Sequence, residues 1–217
     1  MASCSLLNVY KVALLLIAAP CFFCEDTFRS RGFAARSGAP PEAAEFNGTL
    51  YASCRMKPST KLAEGLPKVY GQVLFKQAFP TGPLHMMISL KGFPTVGHQQ
   101  RAIHIHQYGD LSNGCDSTGG HYNPLGVDHP GHPGDFGNFV PHDGRIWAQK
   151  SERATLSGRL SVLGRAVVVH EKEDDLGLGG DAGSLLHGNS GRRLACCIIG
   201  ISSDKLWNKA VRQPRRN

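Results

Sequence analysis

Residues 101–110 read RAIHIHQYGD. Side chains along a strand alternate between its two faces, so Ile103 and Ile105 take one face and His104 and His106 the other. One side of such a strand packs a core while the other carries imidazoles. Working outward, comparable runs of β-favouring residues occur at Thr49–Met56, Val69–Lys76, His85–Lys91, Arg145–Lys150, Ala154–Leu160, Ala166–His170 and Ala195–Ile201. With Arg101–Tyr108 they make eight short strands separated by turn residues. That pattern predicts an all-β fold, an eight-stranded antiparallel Greek-key barrel of the immunoglobulin-like sandwich kind. Two stretches, Gly109–Asp143 and Glu171–Arg193, carry no strand pattern, and loops of such length inside a compact domain usually hold function.

The composition agrees. The 217 residues include 26 Gly and 13 Pro, with 8% aromatic residues, which suits short strands and long loops better than a helical bundle. At 41% hydrophobic residues the chain can build a core, and no apolar run reaches the ~18–20 residues of a membrane span. Residues 12–23, VALLLIAAPCFF, follow Lys11 and precede a polar stretch. They read as the apolar region of a secretory signal peptide, expected over 1–24, which makes the chain a secreted, extracellular protein. A polar arm, flexible or briefly helical, is expected over 25–45, the barrel over 46–203 and a basic tail over 204–217.

Without the leader, four cysteines remain: Cys54, Cys115, Cys196 and Cys197. An even count in a secreted chain predicts two disulfides. A bond between the neighbours Cys196 and Cys197 would be strained, and strand neighbours point to opposite faces, so each should reach a different partner, Cys54 or Cys115. Asn47-Gly48-Thr49 is a sequon for glycosylation.

The histidines carry the chemistry. His104 and His106 share a strand face and can reach one metal ion. His121, His129, His132 and Asp135 fall within 15 residues of a loop stiffened by Pro124, Pro130 and Pro133. Three imidazoles and a carboxylate make a donor set that zinc accepts. His170 ends the apolar run Val167-Val168-Val169 and precedes the acidic Glu171, Glu173, Asp174 and Asp175. His85, His98, His142 and His187 fall outside these groupings and read as ordinary histidines.

Together with Gly114-Cys115, His121-Tyr122-Asn123-Pro124-Leu125, Gly134-Asp135-Phe136-Gly137-Asn138, Val168-Val169-His170-Glu171-Lys172, Asp174-Asp175-Leu176-Gly177 and Gly188-Asn189-x-Gly191-x-Arg193-Leu194-Ala195-Cys196, these histidines resemble the Cu/Zn superoxide dismutases over about residues 46–203. The leader, the fourth cysteine and the basic tail resemble that family's extracellular branch. The resemblance implies one copper per subunit on His104, His106, His121 and His170, and one zinc on His121, His129, His132 and Asp135. His121 would bridge both ions. It further implies Asp174 as a carboxylate joining ligands of the two sites, and Arg193 as the cation that holds superoxide beside copper. The long loops become a metal-binding loop and an active-site loop. The implied disulfides are Cys115–Cys196 and, by remainder, Cys54–Cys197.

Such an enzyme dismutes superoxide to O2 and hydrogen peroxide. A superoxide dismutase-like module without copper, or a matrix-binding module using the barrel as scaffold, are the alternatives. The presence of all six histidines, Asp135 and Arg193 argues against the first. The resemblance also implies a homodimer or homotetramer, with Gly109, Leu163-Gly164 and Gly200-Ile201 at the dimer contact. It implies contact of the tail (Lys205, Lys209, Arg212, Arg215, Arg216) with heparan sulfate or another polyanion, in keeping with a net charge of +7. Nucleic acid is not an expected partner. The chain departs from cytosolic members at 181–190, DAGSLLHGNS, where Leu185, Leu186 and His187 replace charged residues.

Overall fold

A computed structural model describes residues 38–97 and 99–212. The expected leader, residues 25–37 of the arm, His98 and the last five residues with Arg215 and Arg216 lie outside them.

The chain enters through a short helix, α1 (Pro41–Glu45), whose Ala43 is buried in the main core. Nine strands follow: β1 (Thr49–Pro58), β2 (Tyr70–Ala78), β3 (Leu84–Lys91), β4 (Arg101–His106), β5 (Asp135–Phe139), β6 (Arg145–Glu152), β7 (Ala166–His170), β8 (Arg193–Ile198) and the two-residue β9 (Gly200–Ile201). Helix α2 (Ala182–His187) lies between β7 and β8, and helix α3 (Asp204–Arg212) follows β9.

The strands pair in the order β5-β4-β7-β8-β1-β2-β3-β6, antiparallel throughout, with β9 also on β1. Because β3 pairs with β6, and β4 with β5 and β7, the chain crosses from one half of the barrel to the other between β3 and β4, as a Greek key requires. The two end strands approach each other. Lys150 of β6 donates to the Phe136 carbonyl of β5 at 2.7 Å, with its ammonium 5.5 Å from the Phe139 ring. The barrel is thus nearly closed, which leaves little unpaired edge.

Alternation places the core. Ile103, Ile105, Val167 and Val169 of the neighbouring strands β4 and β7 join Phe75, Ile88 and Leu194 in a single apolar cluster, each less than 1% exposed. Full burial of side chains this size stabilises by about 1.5–3 kcal/mol each. His104 and His106 leave β4 on its other face. Two disulfides tie the described residues together, Cys54–Cys197 and Cys115–Cys196, with Cα separations of 5.4 and 5.8 Å. Cys196 and Cys197 do reach different partners, in the order that the resemblance implies.

Three sequence expectations need correction. Ala154–Leu160 is not a strand. Its Ala154 and Leu156 are buried, as alternation suggested, but the Leu156 amide donates to the Gln77 side chain at 2.7 Å. Gly158 then turns the chain at φ +72°, where no ladder can continue. The stretch Gly109–Asp143 does contain a strand, β5, which pairs Arg101 with Phe139 and His104 with Asp135 across a register shift. The sequence DFGNF hides it, being short and interrupted by Gly137. The stretch Glu171–Arg193 contains α2, capped by the Asp181 carboxylate, which accepts from the Ser184 amide at 2.9 Å. The tail is helical over Asp204–Arg212, packed on β1 and β2.

Candidate metal centre

Strands β4 and β7 run side by side, with His104 opposite Val168 and Ile103 opposite Val169. This register brings His104, His106 and the strand-end His170 to one patch. Backbone bonds from Gln107 to Gly120 and from Tyr122 to Ile105 fold the following loop back over β4, setting His121 beside His106. All four imidazoles are at least 92% buried. Their available ring nitrogens lie within 4.8 Å of one another. A second group, His121, His129, His132 and Asp135, meets the same condition, so His121 belongs to both.

Each ring is oriented by a hydrogen bond through one nitrogen, which fixes what the other can do. His106 Nδ1 donates to the Gly119 carbonyl at 2.9 Å, and His170 Nδ1 faces the Gly191 carbonyl at 3.4 Å. Their Nε2 atoms, left as lone pairs, face each other at 3.1 Å. Burial, followed by the neighbouring charges, holds both residues well below the usual histidine pKa, so a proton between them is disfavoured. His104 Nε2 is bonded to Asp174 at 2.7 Å, and its Nδ1 is buried without a partner. In the second group His129 Nε2 is bonded to Asp174 at 2.7 Å, and His132 Nε2 to the Val127 carbonyl at 3.0 Å. Their Nδ1 atoms sit 3.0 Å from the Asp135 carboxylate without hydrogen-bond alignment. His121 Nδ1 lies 3.0 Å from Asp135, and its Nε2 is buried and unpartnered among the described residues.

Buried lone pairs aimed at lone pairs, and at a carboxylate, repel unless a cation lies between them. The arrangement therefore fits two metal ions, one among four nitrogens and one among three nitrogens and a carboxylate oxygen. The first donor set suits copper and the second zinc. Electrostatics point the same way. Burial lowers the His129 pKa, but the hydrogen bond to Asp174 and the negative charge of both Asp135 and Asp174 outweigh it and raise it to about 9, so this spot favours positive charge. Burial opposes ionisation of Asp135 and Asp174 too, yet their histidine partners hold both well below the usual carboxylate range. Burial pushes His121 down to about 4 despite its bond to Asp135.

Asp174 touches one ring of each group and is itself held at both backbone ends. Its amide donates to Asn138 Oδ1 at 2.7 Å, and Asn138 Nδ2 donates back to its carbonyl at 2.8 Å. Gly188 closes α2 in the left-handed region, and a Cβ there would run into the Asp174 carboxylate and come within 2.7 Å of His129 Nε2. Arg193 lies opposite His170 at a bulge between β7 and β8. Its Nη1 donates to the Cys115 and Asp116 carbonyls and to Thr118 Oγ1, at 2.8, 3.2 and 2.9 Å. The Cys115–Cys196 disulfide anchors that loop to the strand bearing Arg193. The guanidinium borders a cavity of about 570 Å³ that also reaches His106, His121 and His170.

With this geometry in view, the comparisons with known proteins are specific. The family model "Copper/zinc superoxide dismutase (SODC)" matches residues 69–199. The chain belongs to the copper/zinc superoxide dismutase family. It is 52% identical over 169 residues to the extracellular superoxide dismutase [Cu-Zn] of Homo sapiens, covering 77% of this chain and 70% of that one. With the protein of the same name from Rattus norvegicus the identity is 51% over 169 residues, covering 77% and 69%. Superoxide dismutase [Cu-Zn] of Yarrowia lipolytica is 40% identical over 157 residues, 68% of this chain and all of its own.

Sequence reading singled out all of the clustered residues. It quoted Asn138 within a motif but gave it no role, and it missed the carbonyls of Gly119, Val127 and Gly191, because backbone acceptors leave no mark in residue identity. His187, read as ordinary, is exposed and outside both clusters, and it lines the cavity with Leu185 and Leu186. The motif spacing, which placed Arg193 nearby, was the available signal.

Proposed function

We propose that the chain is a secreted Cu/Zn superoxide dismutase that binds copper through His104, His106, His121 and His170 and zinc through His121, His129, His132 and Asp135. When bound, copper supplies alternating one-electron oxidation and reduction, so that two superoxide ions and two protons become O2 and hydrogen peroxide, while zinc supplies redox-silent positive charge. The observation that carries the reading is His121. It is the one ring shared by both clusters, with one nitrogen on the Asp135 side and the other buried and unpartnered.

Arg193 stays cationic: burial lowers its pKa, but a guanidinium starts far above neutrality. Its planar fork attracts a small anion and orients it over the histidine floor of the cavity. His121 Nε2, buried and without a partner among the described residues, would hold and return a proton within reach of that floor whenever it is not engaged as a metal donor. His106 and His170, kept neutral by burial, present lone pairs at neutral pH. Asp174 keeps the rings of the two groups in register. Replacement of His121 by Ala tests this: superoxide consumption and the content of both metals should fall together, and full activity in that variant would refute it.

Secretion is supported by the names of the relatives and by the apolar N-terminal run, and no helix among the described residues is long and apolar enough to cross a membrane. A dimer is supported by Ile198, 43% exposed beside Gly109, whose Cβ would meet the Gly164 carbonyl, and by Ile201, 57% exposed. Sedimentation at graded concentration tests it. Polyanion contact is supported by Lys205, Lys209 and Arg212, which project from exposed positions one helical turn apart on α3. Its retention on heparin should weaken steeply with salt. The sequon at Asn47 lies exposed in the turn before β1 and is open to glycosylation.

A further inference from the structure

The cavity beside Arg193 is far larger than its substrate needs. Its volume of about 570 Å³ exceeds that of a two-atom anion, comparable to one or two waters at ~30 Å³ each, by an order of magnitude. One of its walls is apolar. Val127 from the zinc-binding loop and Leu185 and Leu186 from α2 line it, at 40%, 45% and 65% exposure. A single exposed leucine is ordinary, but three aliphatic side chains on one wall of a cavity with a fixed cation are a recognition pattern.

The wall is built. Ser184, fully buried, and Gly188, packed on Asp174, take the inner face of α2, which turns Leu185 and Leu186 outward. The Leu185 carbonyl accepts from the His129 amide at 2.9 Å, which pins the wall to the zinc-binding loop. Among the described residues Arg193 donates only from Nη1, so Nε and Nη2 remain to grip a carboxylate. Asp128 and His187 also line the cavity, and the Asp128 carboxylate next to Val127 repels an anion from that side. The charged end of a ligand therefore belongs at Arg193.

We propose that this cavity binds aliphatic monocarboxylates, the carboxylate on Arg193 and the chain along Val127, Leu185 and Leu186, in competition with superoxide. The inference rests on the dismutase reading, since it takes Arg193 to be the anion anchor. It is tested on the metal-loaded full chain with acetate, butyrate, hexanoate and octanoate as inhibitors, at fixed pH and ionic strength. Beyond the first carbons, inhibition should tighten about three- to fourfold per methylene that reaches the wall. Hexylammonium should not inhibit.

In Leu185→Ser/Leu186→Ser, acetate should inhibit as before, while the gain per methylene falls to about 1.5-fold or less, each protein being referred to its own uninhibited rate. Should the double variant not fold, Leu186→Ser alone should show an intermediate gain. A flat series in the unsubstituted chain, an unchanged gain in the variants, or equal inhibition by hexylammonium would overturn the inference. Calorimetric titration of octanoate into the same protein keeps the two readings apart. Octanoate binding without dismutase activity sinks only the enzymatic reading, and dismutase activity without dependence on chain length sinks only this one.

Discussion

The two halves of the metal centre are held in different ways. On the proposed copper side, three of four imidazoles sit on β4 and at the end of β7, where ladder hydrogen bonds and a fully buried apolar layer fix the backbone beneath them. On the proposed zinc side, three imidazoles come from the loop between β4 and β5, and only Asp135 belongs to a strand. The first half is organised by the barrel. The second is organised by carboxylates and, when present, by the ion itself. Strand-borne ligands are paid for by the core of the fold, whereas loop-borne ligands must recover their ordering entropy from what they bind. His121 and Asp174 are the two residues that join the halves, one by its shared ring and the other by gripping His104 and His129 together.

The largest effect expected from breaking that junction comes from His121→Ala. It removes a donor from both groups, so superoxide consumption should fall by more than about 100-fold, beyond the ten- to hundredfold typical of outer partners, and neither metal should be retained fully. If zinc content survives intact, the halves are independent. Removal of both metals by a chelator should separate the halves by hydrogen exchange. Amides over 121–134 should exchange at least about tenfold faster, while those of β4 and β7 keep their protection. Equal loss across both would show that the barrel does not organise the copper side alone.

Asp174→Asn sharpens the comparison further. An amide can satisfy at most one of the two ring N–H groups as an acceptor, so metal affinity should drop about ten- to a hundredfold, measurable by competition with a chelator of known strength. The smallest effect is that of Gly188→Ala, which adds a strained left-handed residue and pushes on the Asp174 carboxylate. It should cost about 1–3 kcal/mol of stability in a melting experiment and weaken the zinc side more than the copper side, because its added carbon faces His129.

What the sequence conveyed follows the same division. The strands that carry the copper side were legible because alternation is a period-two signal with a buried face, as in Ile103 and Ile105 against His104 and His106. Boundaries there shift by only a residue or two. The loop side was legible only in its side chains. His121, His129, His132 and Asp135 announce a donor set, but nothing in DFGNF announces β5, since Gly137 interrupts a strand whose pairing is set by contact with β4. The alternation of Ala154, Thr155 and Leu156 misled for the converse reason. Its buried residues are real, yet Gln77 takes the amide that a neighbouring strand would need. Helix α2 rests on the Asp181 cap and the Gly188 turn, both short-range signals visible in retrospect, in a stretch whose glycines suggested a loop.

The most direct test is diffraction from the metal-loaded protein at energies on either side of the copper and zinc absorption edges. The account predicts one copper and one zinc per chain, with His121 among the ligands of both. Two ions with no common side chain, or a common side chain other than His121, would contradict it.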